Sequence, residues 1–381
     1  MKKALIIIGS GFASYQLIKT IRRSDKNLPI SVFTLDAGHD YNKPDLSHVF
    51  SKQQTSRDLI RQSGDEFASE NNITLNAFTK VDSIDTNKQE ITVKGVKHAY
   101  CNLVLATGAK TFIPDAKGNA TNEVLTLNTL HEFEAAHSTL RKSNTVLLLG
   151  AGLIGTEIAM DLASSGKNVV VVDPSNSLIA NMLPVLIAEK LQKKMVEAGI
   201  RFELNKTVYA LNHNEDKIAV TLSTGEVLRV DCVISAAGLK ANTGLAKQSG
   251  IEVNKGIKVN ALLQTSARHV YALGDCAEIN GKVRAYLQPI MLSANALAKT
   301  LLAQPTELTL PAMLIKVKTP LMPIQLGGEP VLDVNSWQVD IDAQGYSLSA
   351  YNEQKETVGF VVTEGHMKNA FPLLRKLSTP L

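Results

Sequence analysis

Gly9-Ser10-Gly11-Phe12-Ala13-Ser14 and Gly150-Ala151-Gly152-Leu153-Ile154-Gly155 decide the fold of this chain. Each follows a short apolar run, Ala4–Ile8 or Val146–Leu149, and opens a helical segment that reaches about Arg23 or Ser164. Each helix is followed by a second strand, Ile30–Leu35 or Asn168–Val172. Strand, glycine turn, helix and strand make a βαβ unit, the element of parallel sheets. The first glycine permits the tight turn, the second lets a phosphate approach the backbone, and the third brings helix and strand together. In the first copy that third place holds Ser14, a departure from the pattern. The free N–H groups at such a helix start hold a pyrophosphate. Asp36 stands 22 residues after Ser14 and Asp173 stands 18 after Gly155, each where an acid accepts a ribose hydroxyl. Pro174-Ser175-Asn176 offers no arginine for a 2′-phosphate, which favours NADH over NADPH.

Working outward, the copies lie about 140 residues apart and read as two separate nucleotide-binding domains, not as a short repeat. Lys80–Lys97 and Phe202–Val230 alternate apolar and polar residues around turn signals, and each reads as a small antiparallel meander. The closing strands, Leu103–Ala106 and Cys232–Ala236, run up to Gly108 and Gly238. A further buried strand ends in Gly274-Asp275, and a helix follows over about Pro289–Leu302. Gln304-Pro305 marks a linker. Beyond it, strands and a final helix form a small domain whose Pro311, Pro320, Pro323 and Pro330 point to edge or irregular structure. The expected fold is α/β, with two Rossmann-like dinucleotide-binding domains and a small α+β C-terminal domain. The expected boundaries are 1–110 with 240–305, then 111–239, then 306–381.

The 381 residues are 44% hydrophobic and 20% charged, as in a globular protein with a large core. The apolar runs are far shorter than the ~20 residues that span a bilayer. Met1-Lys2-Lys3 precedes a run that ends in a glycine turn after five residues, so the N-terminus reads as a buried strand and not a leader. A net charge of +4 gives no ground for nucleic acid and is compatible with an acidic protein partner. Cys101, Cys232 and Cys276 occur singly, without metal or disulfide spacing, which fits a reducing cytoplasm. The eight histidines are scattered and form no metal cluster or nucleophilic triad; His48 carries no assigned role.

With both dinucleotide motifs, Leu105-Ala106-Thr107-Gly108 and Tyr271-Ala272-Leu273-Gly274-Asp275 in place, the chain resembles the two-dinucleotide-binding-domain flavoproteins of glutathione-reductase-like fold. Tyr41-Asn42-Lys43-Pro44-Asp45-Leu46-Ser47, Glu157 after the second motif, Gly274–Glu278 and Val317-Lys318-Thr319-Pro320 are similar to the rubredoxin–NAD reductase branch. The resemblance implies FAD at Gly9, Gly11, Ala13, Ser14, Asp36, Lys43, Val81, Gly108, Glu157, Asp275, Leu287 and Lys318. It implies NADH at Gly150, Gly152, Gly155, Asp173 and Gly238. Lys43 and Lys318 have the catalytic part, since a cation near a flavin raises its potential; Lys43 directly precedes a proline and Lys318 lies two residues before one.

The disulfide reductases among these flavoproteins carry C-x4-C on the first long helix, and their oxidases and peroxidases carry one redox cysteine near position 43. Tyr41–Ser47 holds no cysteine, so electrons would leave the flavin directly for a one-electron protein acceptor. Similarity over Gly9–Ala13, Tyr41–Val49, Asp58–Ala68, Pro311–Pro320 and Met367–Leu377 implies the rubredoxin domain of a flavorubredoxin, an anaerobic nitric oxide reductase, as that acceptor. A free rubredoxin or ferredoxin is the alternative. The missing cysteine disfavours an NADH oxidase, and the intact motifs argue against a redox sensor without turnover. Lys52, Arg57 and Arg61 are candidates to meet an acidic rubredoxin. The short C-terminal domain points to a monomer.

Overall fold

A computed structural model describes residues 4–377; Met1-Lys2-Lys3 and the last four residues of the expected C-terminal domain lie outside the described residues. The chain divides into two compact units. The first comprises the chain up to Lys43, Ser56–Lys110 and Leu239–Leu310; the second comprises Pro44–Thr55, Thr111–Gly238 and the chain from Pro311 onward. The segment Pro44–Thr55, expected with 1–110, thus belongs with the second unit.

In the first unit the parallel strands lie in the order Thr74–Asn76, Ile30–Phe33, Ala4–Ile8, Val96–Leu105, Val270–Ala272. Ile6 is opposite Ser31 on one side and Leu103 on the other. The run Ala4–Ile8 is apolar at every position because both sheet faces are covered. The helix Phe12–Ser24 turns Tyr15, Leu17, Ile18 and Ile21 into a core shared with Ala294 and Leu297 of the helix Leu287–Leu301. Each such aliphatic side chain contributes about 1.5–3 kcal/mol by leaving water. That second helix starts two residues before its expected position.

Val96–Leu105 departs from expectation. The third meander strand and the closing strand are one ten-residue strand. Its first part pairs antiparallel with Glu90–Val93, and Asn102–Leu105 pairs parallel with Ala4–Ile8. Asn102 is the one turn-favouring residue in Tyr100-Cys101-Asn102, and its pairing opposite Leu5 keeps it in the ladder, so the strand runs on.

The second unit repeats the plan. Its parallel order is Leu125–Thr126, Cys232–Ser235, Thr145–Leu149, Asn168–Asp173, Ile200–Leu204. Phe202 sits opposite Val171 in this sheet and is not part of the meander, as the pattern suggested. The helix Val185–Glu197 and Gly199 at φ +88° make Ile200–Leu204 the end of a crossover. The meander is Val208–Asn214, Lys217–Leu222 and Val227–Val230. From Pro311 onward the chain forms a five-stranded antiparallel sheet, Leu314–Val317, Ile324–Gly328, Thr357–Thr363, Gly345–Tyr351, Ser336–Asp342 in spatial order. Leu314–Val317 is an edge strand, as the nearby prolines require. The short helix Ala370–Leu374 closes over Phe360 and Val362.

Candidate functional site

The first glycine turn is built for a ligand backbone. Gly9 has φ +110°, and a Cβ there would stand 2.2 Å from the Ala106 carbonyl oxygen. Gly11 caps the helix Phe12–Ser24 without a side-chain bond, and a Cβ on it would meet nothing within 4 Å. Free N–H groups therefore face open space at the positive end of a helix dipole. Ser14 is fully buried and its hydroxyl has no partner among the described residues. Asp36 lies three residues past Phe33, where the strand has ended. Its Oδ1 accepts from Ser10 Oγ at 3.0 Å, Thr34 Oγ1 at 2.8 Å and the Gly38 N–H at 2.9 Å. Oδ2 has no hydrogen bond among the described residues, so it remains open to a hydroxyl. Ser10 and Thr34, which aim this carboxylate, carried no motif signal.

Other candidates converge on the same turn. Gly274 has φ +81°, and a Cβ there would lie 2.7 Å from the Ala13 methyl. The Gly-Asp turn is thus seated on the start of the first helix. Asp275 Oδ2 lies 3.3 Å from Lys43 Nζ. Gly108 is fixed by Asn242, whose N–H donates to the Gly108 carbonyl and whose side chain donates to the Thr107 carbonyl. Val81 is buried in the core cluster with Ile8 and Phe33. Leu287 begins its helix and is partly exposed. The Cys276 thiol donates to the Leu105 and Leu273 carbonyls, and burial pushes its pKa up.

In the second unit, Gly150 also has φ +110°, and a Cβ there would reach within 2.6 Å of the Ala236 carbonyl. A Cβ on Gly155 would be 2.0 Å from the Gly150 oxygen, so this turn admits no side chain at its third position. Gly152 caps the helix Leu153–Ser164 and faces open space. Asp173 ends its strand and accepts the N–H groups of Ala151 and Ser175, both at 2.7 Å. It therefore shapes the glycine turn as well as standing at a ribose position. Gly238, at φ +110°, accepts the Phe112 N–H.

Glu157 lies on the buried side of that helix and is 3% exposed. Its Oε2 accepts from Ser47 Oγ at 2.9 Å and its Oε1 accepts the Lys318 N–H at 3.1 Å. One turn later Asp161 accepts the Phe50 N–H at 2.7 Å and the Ser51 hydroxyl. The two carboxylates, on one helix face, clamp the segment Pro44–Thr55 and the loop at Lys318. Lys318 Nζ donates to the Pro44 carbonyl at 2.9 Å. Sequence reading found Glu157 and missed Asp161; the available signal was a second acid four residues on in an otherwise apolar helix. His48 lies 3.8 Å from Glu157, its Nε2 is buried without a hydrogen-bond partner among the described residues, and burial lowers its pKa. Of the three expected docking cations, Lys52 falls in the second unit and Arg57 and Arg61 in the first. Among the described residues no group of three or more His, Cys, Asp or Glu side chains could hold a metal, and no helix is long and apolar enough to cross a membrane.

Residues 3–299 match the model of the pyridine nucleotide-disulphide oxidoreductases, and residues 307–377 match that of the rubredoxin binding C-terminal domain. The chain is 55% identical over 379 residues to the nitric oxide reductase FlRd-NAD(+) reductase of Aliivibrio fischeri, covering 100% of both chains. Among solved structures it is similar to the ferredoxin reductase for the CYP199A2 system of Rhodopseudomonas palustris, with TM-score 0.88, 24% identity and coverage of 100% and 96%. It is also similar to the NADH:rubredoxin oxidoreductase of Clostridium acetobutylicum, with TM-score 0.83, 21% identity and the same coverage. At these identities the two structures speak to the fold.

Proposed function

The chain belongs to the pyridine nucleotide-disulphide oxidoreductase family, and we propose that it is an NADH-dependent flavoenzyme that reduces the rubredoxin domain of a flavorubredoxin and so supports nitric oxide reduction. The observation that carries this reading is the pairing of two dinucleotide turns with residues 307–377, which match the rubredoxin binding C-terminal domain.

The flavin is FAD in this reading. The residues present fit it: the open helix start at Gly11, the unpartnered Ser14 hydroxyl and the free Oδ2 of Asp36 suit a pyrophosphate and a ribose. When bound, FAD would supply two-electron uptake from NADH and one-electron release to an iron centre. The Gly11 turn would hold its pyrophosphate, Asp275 a ribityl hydroxyl, and Lys43 would stabilise negative charge beside it. Ala13, Val81, Gly108, Leu287, Glu157 and Lys318 complete the proposed flavin set, the last as a second cation. Gly150, Gly152, Gly155 and Gly238 would seat NADH, with Asp173 selecting the free 2′-hydroxyl. The buried Cys276 carries no thiol relay. We assign 1–110, apart from Pro44–Thr55, with 240–305 to FAD, 111–239 to NADH and 306–381 to the acceptor, in a cytoplasmic monomer.

Anaerobic stopped-flow tests this. The NADH-reduced protein is offered the flavorubredoxin's rubredoxin domain, a free rubredoxin and a 2Fe–2S ferredoxin. Fastest reoxidation by the flavorubredoxin domain is expected. Preference for free rubredoxin would reassign the acceptor, and reoxidation by none of the three would sink the electron-transfer reading.

A further inference from the structure

A groove of about 480 Å³ opens within the second unit. It is lined by Lys52, Lys316, Lys318 and His48 together with the apolar Ile324 and Met367. We propose that this groove receives an acidic segment of the rubredoxin-type partner, so that Pro44–Thr55 forms a second docking wall outside the residues that the rubredoxin-binding model covers. The inference rests on the reading above and assigns its contact surface.

The charge in the groove is not neutralised from within. Among the described residues Lys52, Lys316 and Lys318 make no ion pair; Lys318 donates only to a carbonyl. The two uncompensated ammonium groups of Lys52 and Lys316, beside apolar lining residues, favour a ligand that presents carboxylates and an apolar contact together. The carboxylates bonded to residues of the groove are already engaged: Glu364, whose N–H donates to the Pro323 carbonyl, pairs with Lys194, and Glu157 and Asp161 hold the segment Pro44–Thr55 itself. Glu157 holds the Lys318 N–H and Ser47, and Asp161 holds Phe50 and Ser51. They fix both walls in place, so the surface is preformed and pays little ordering entropy on docking. Lys316, Lys318, Ile324 and Met367 fall within the matched residues 307–377, whereas His48 and Lys52 do not.

The test uses the full-length holoprotein with Lys52→Glu, Lys316→Glu and the double variant, and with Lys52→Gln and Lys316→Gln as gentler changes at the same exposed sites. NADH-driven bleaching of the flavin is followed first, without any acceptor, and should be unchanged. Reduction of the flavorubredoxin's rubredoxin domain is then measured against salt. Each reversal should raise KM, the double variant by roughly ten-fold or more, with a shallower salt dependence. If Lys52→Glu leaves KM and salt slope unchanged while Lys316→Glu raises KM, the second wall is overturned. If neither changes them, the groove is not the docking site, although the enzyme still reduces its acceptor. A wild-type protein that bleaches with NADH but reduces no rubredoxin overturns the functional reading and the surface with it.

Discussion

Lys43 Nζ stands 3.3 Å from Asp275 Oδ2, an ion pair between residues 232 positions apart. The Lys43 ammonium is part-exposed and the Asp275 carboxylate mostly covered, so the pair adds little to stability and instead sets where each group points. Asp275→Ala should leave the fold intact and weaken flavin retention by about ten-fold or more, the loss expected for a hydrogen bond to a charged group. Lys43→Gln should lower the flavin midpoint potential in an equilibrium dye titration. An unaltered potential would remove Lys43 from the tuning role.

The two glycine turns should fail separately. Gly9→Ala drives a methyl into the Ala106 carbonyl and Gly150→Ala drives one into that of Ala236, both at φ +110°. Each should cost about 1–3 kcal/mol in backbone strain alone. Gly9→Ala should yield protein depleted of flavin. Gly150→Ala should remain yellow and lose NADH-driven bleaching. Equal flavin loss in both would contradict the assignment of one nucleotide to each turn.

Asp161→Ala removes the acceptor for the Phe50 and Ser51 N–H groups and for the Ser51 hydroxyl. Leaving these donors unpaired should destabilise the protein by about 1–3 kcal/mol in denaturant titration. Limited proteolysis should then cut within 50–55 sooner than in the wild type. Cleavage there at the wild-type rate would show that other contacts hold the segment.

His48 should give the stability a pH slope. Burial is the largest influence and lowers its pKa below 6.5, partly offset by Glu157. The unfolded chain therefore takes up the proton first. The stability that His48 contributes is complete above pH 6.5 and is lost as the pH falls toward its folded-state pKa. His48→Gln should flatten the Tm profile below pH 6.5. A wild-type slope retained in the variant would assign the titration elsewhere.

Cys276→Ala should keep NADH-driven acceptor reduction near the wild-type rate, and alkylating reagents should leave that rate unchanged in the native protein. The thiol is fully buried and bonded to two carbonyls, and a buried thiol with a raised pKa is a poor nucleophile. Loss of turnover on alkylation would restore the thiol chemistry that the sequence argues against.

The parallel cores were legible because their signals are local. An apolar strand, a glycine that must take positive φ and a helix with one buried face all lie within about twenty residues. Asp36 and Asp173 could be read for the same reason. Ser47 and Asn242 could not, because each acts on a partner more than a hundred residues away, and Asp161 showed only as a second acid on an apolar helix, with its partners equally distant. The fused strand Val96–Leu105 was missed because a strand that changes from antiparallel to parallel neighbours keeps its own two-residue period throughout. Phe202 was misplaced because alternation alone does not tell a meander strand from the end of a crossover.

The strand Val270–Ala272 pairs with Leu103–Leu105 of the first sheet, yet it is synthesised about 170 residues later, while the inserted sheet ends at Cys232–Ser235. On a ribosome the second glycine-turn sheet has all its strands before the first is complete, the reverse of the usual N-terminal-first order. A nascent chain halted before residue 270 would thus hold every strand of the second glycine-turn sheet and an unclosed first one. The waiting edge at Leu103–Leu105 marks where a chaperone would be needed most.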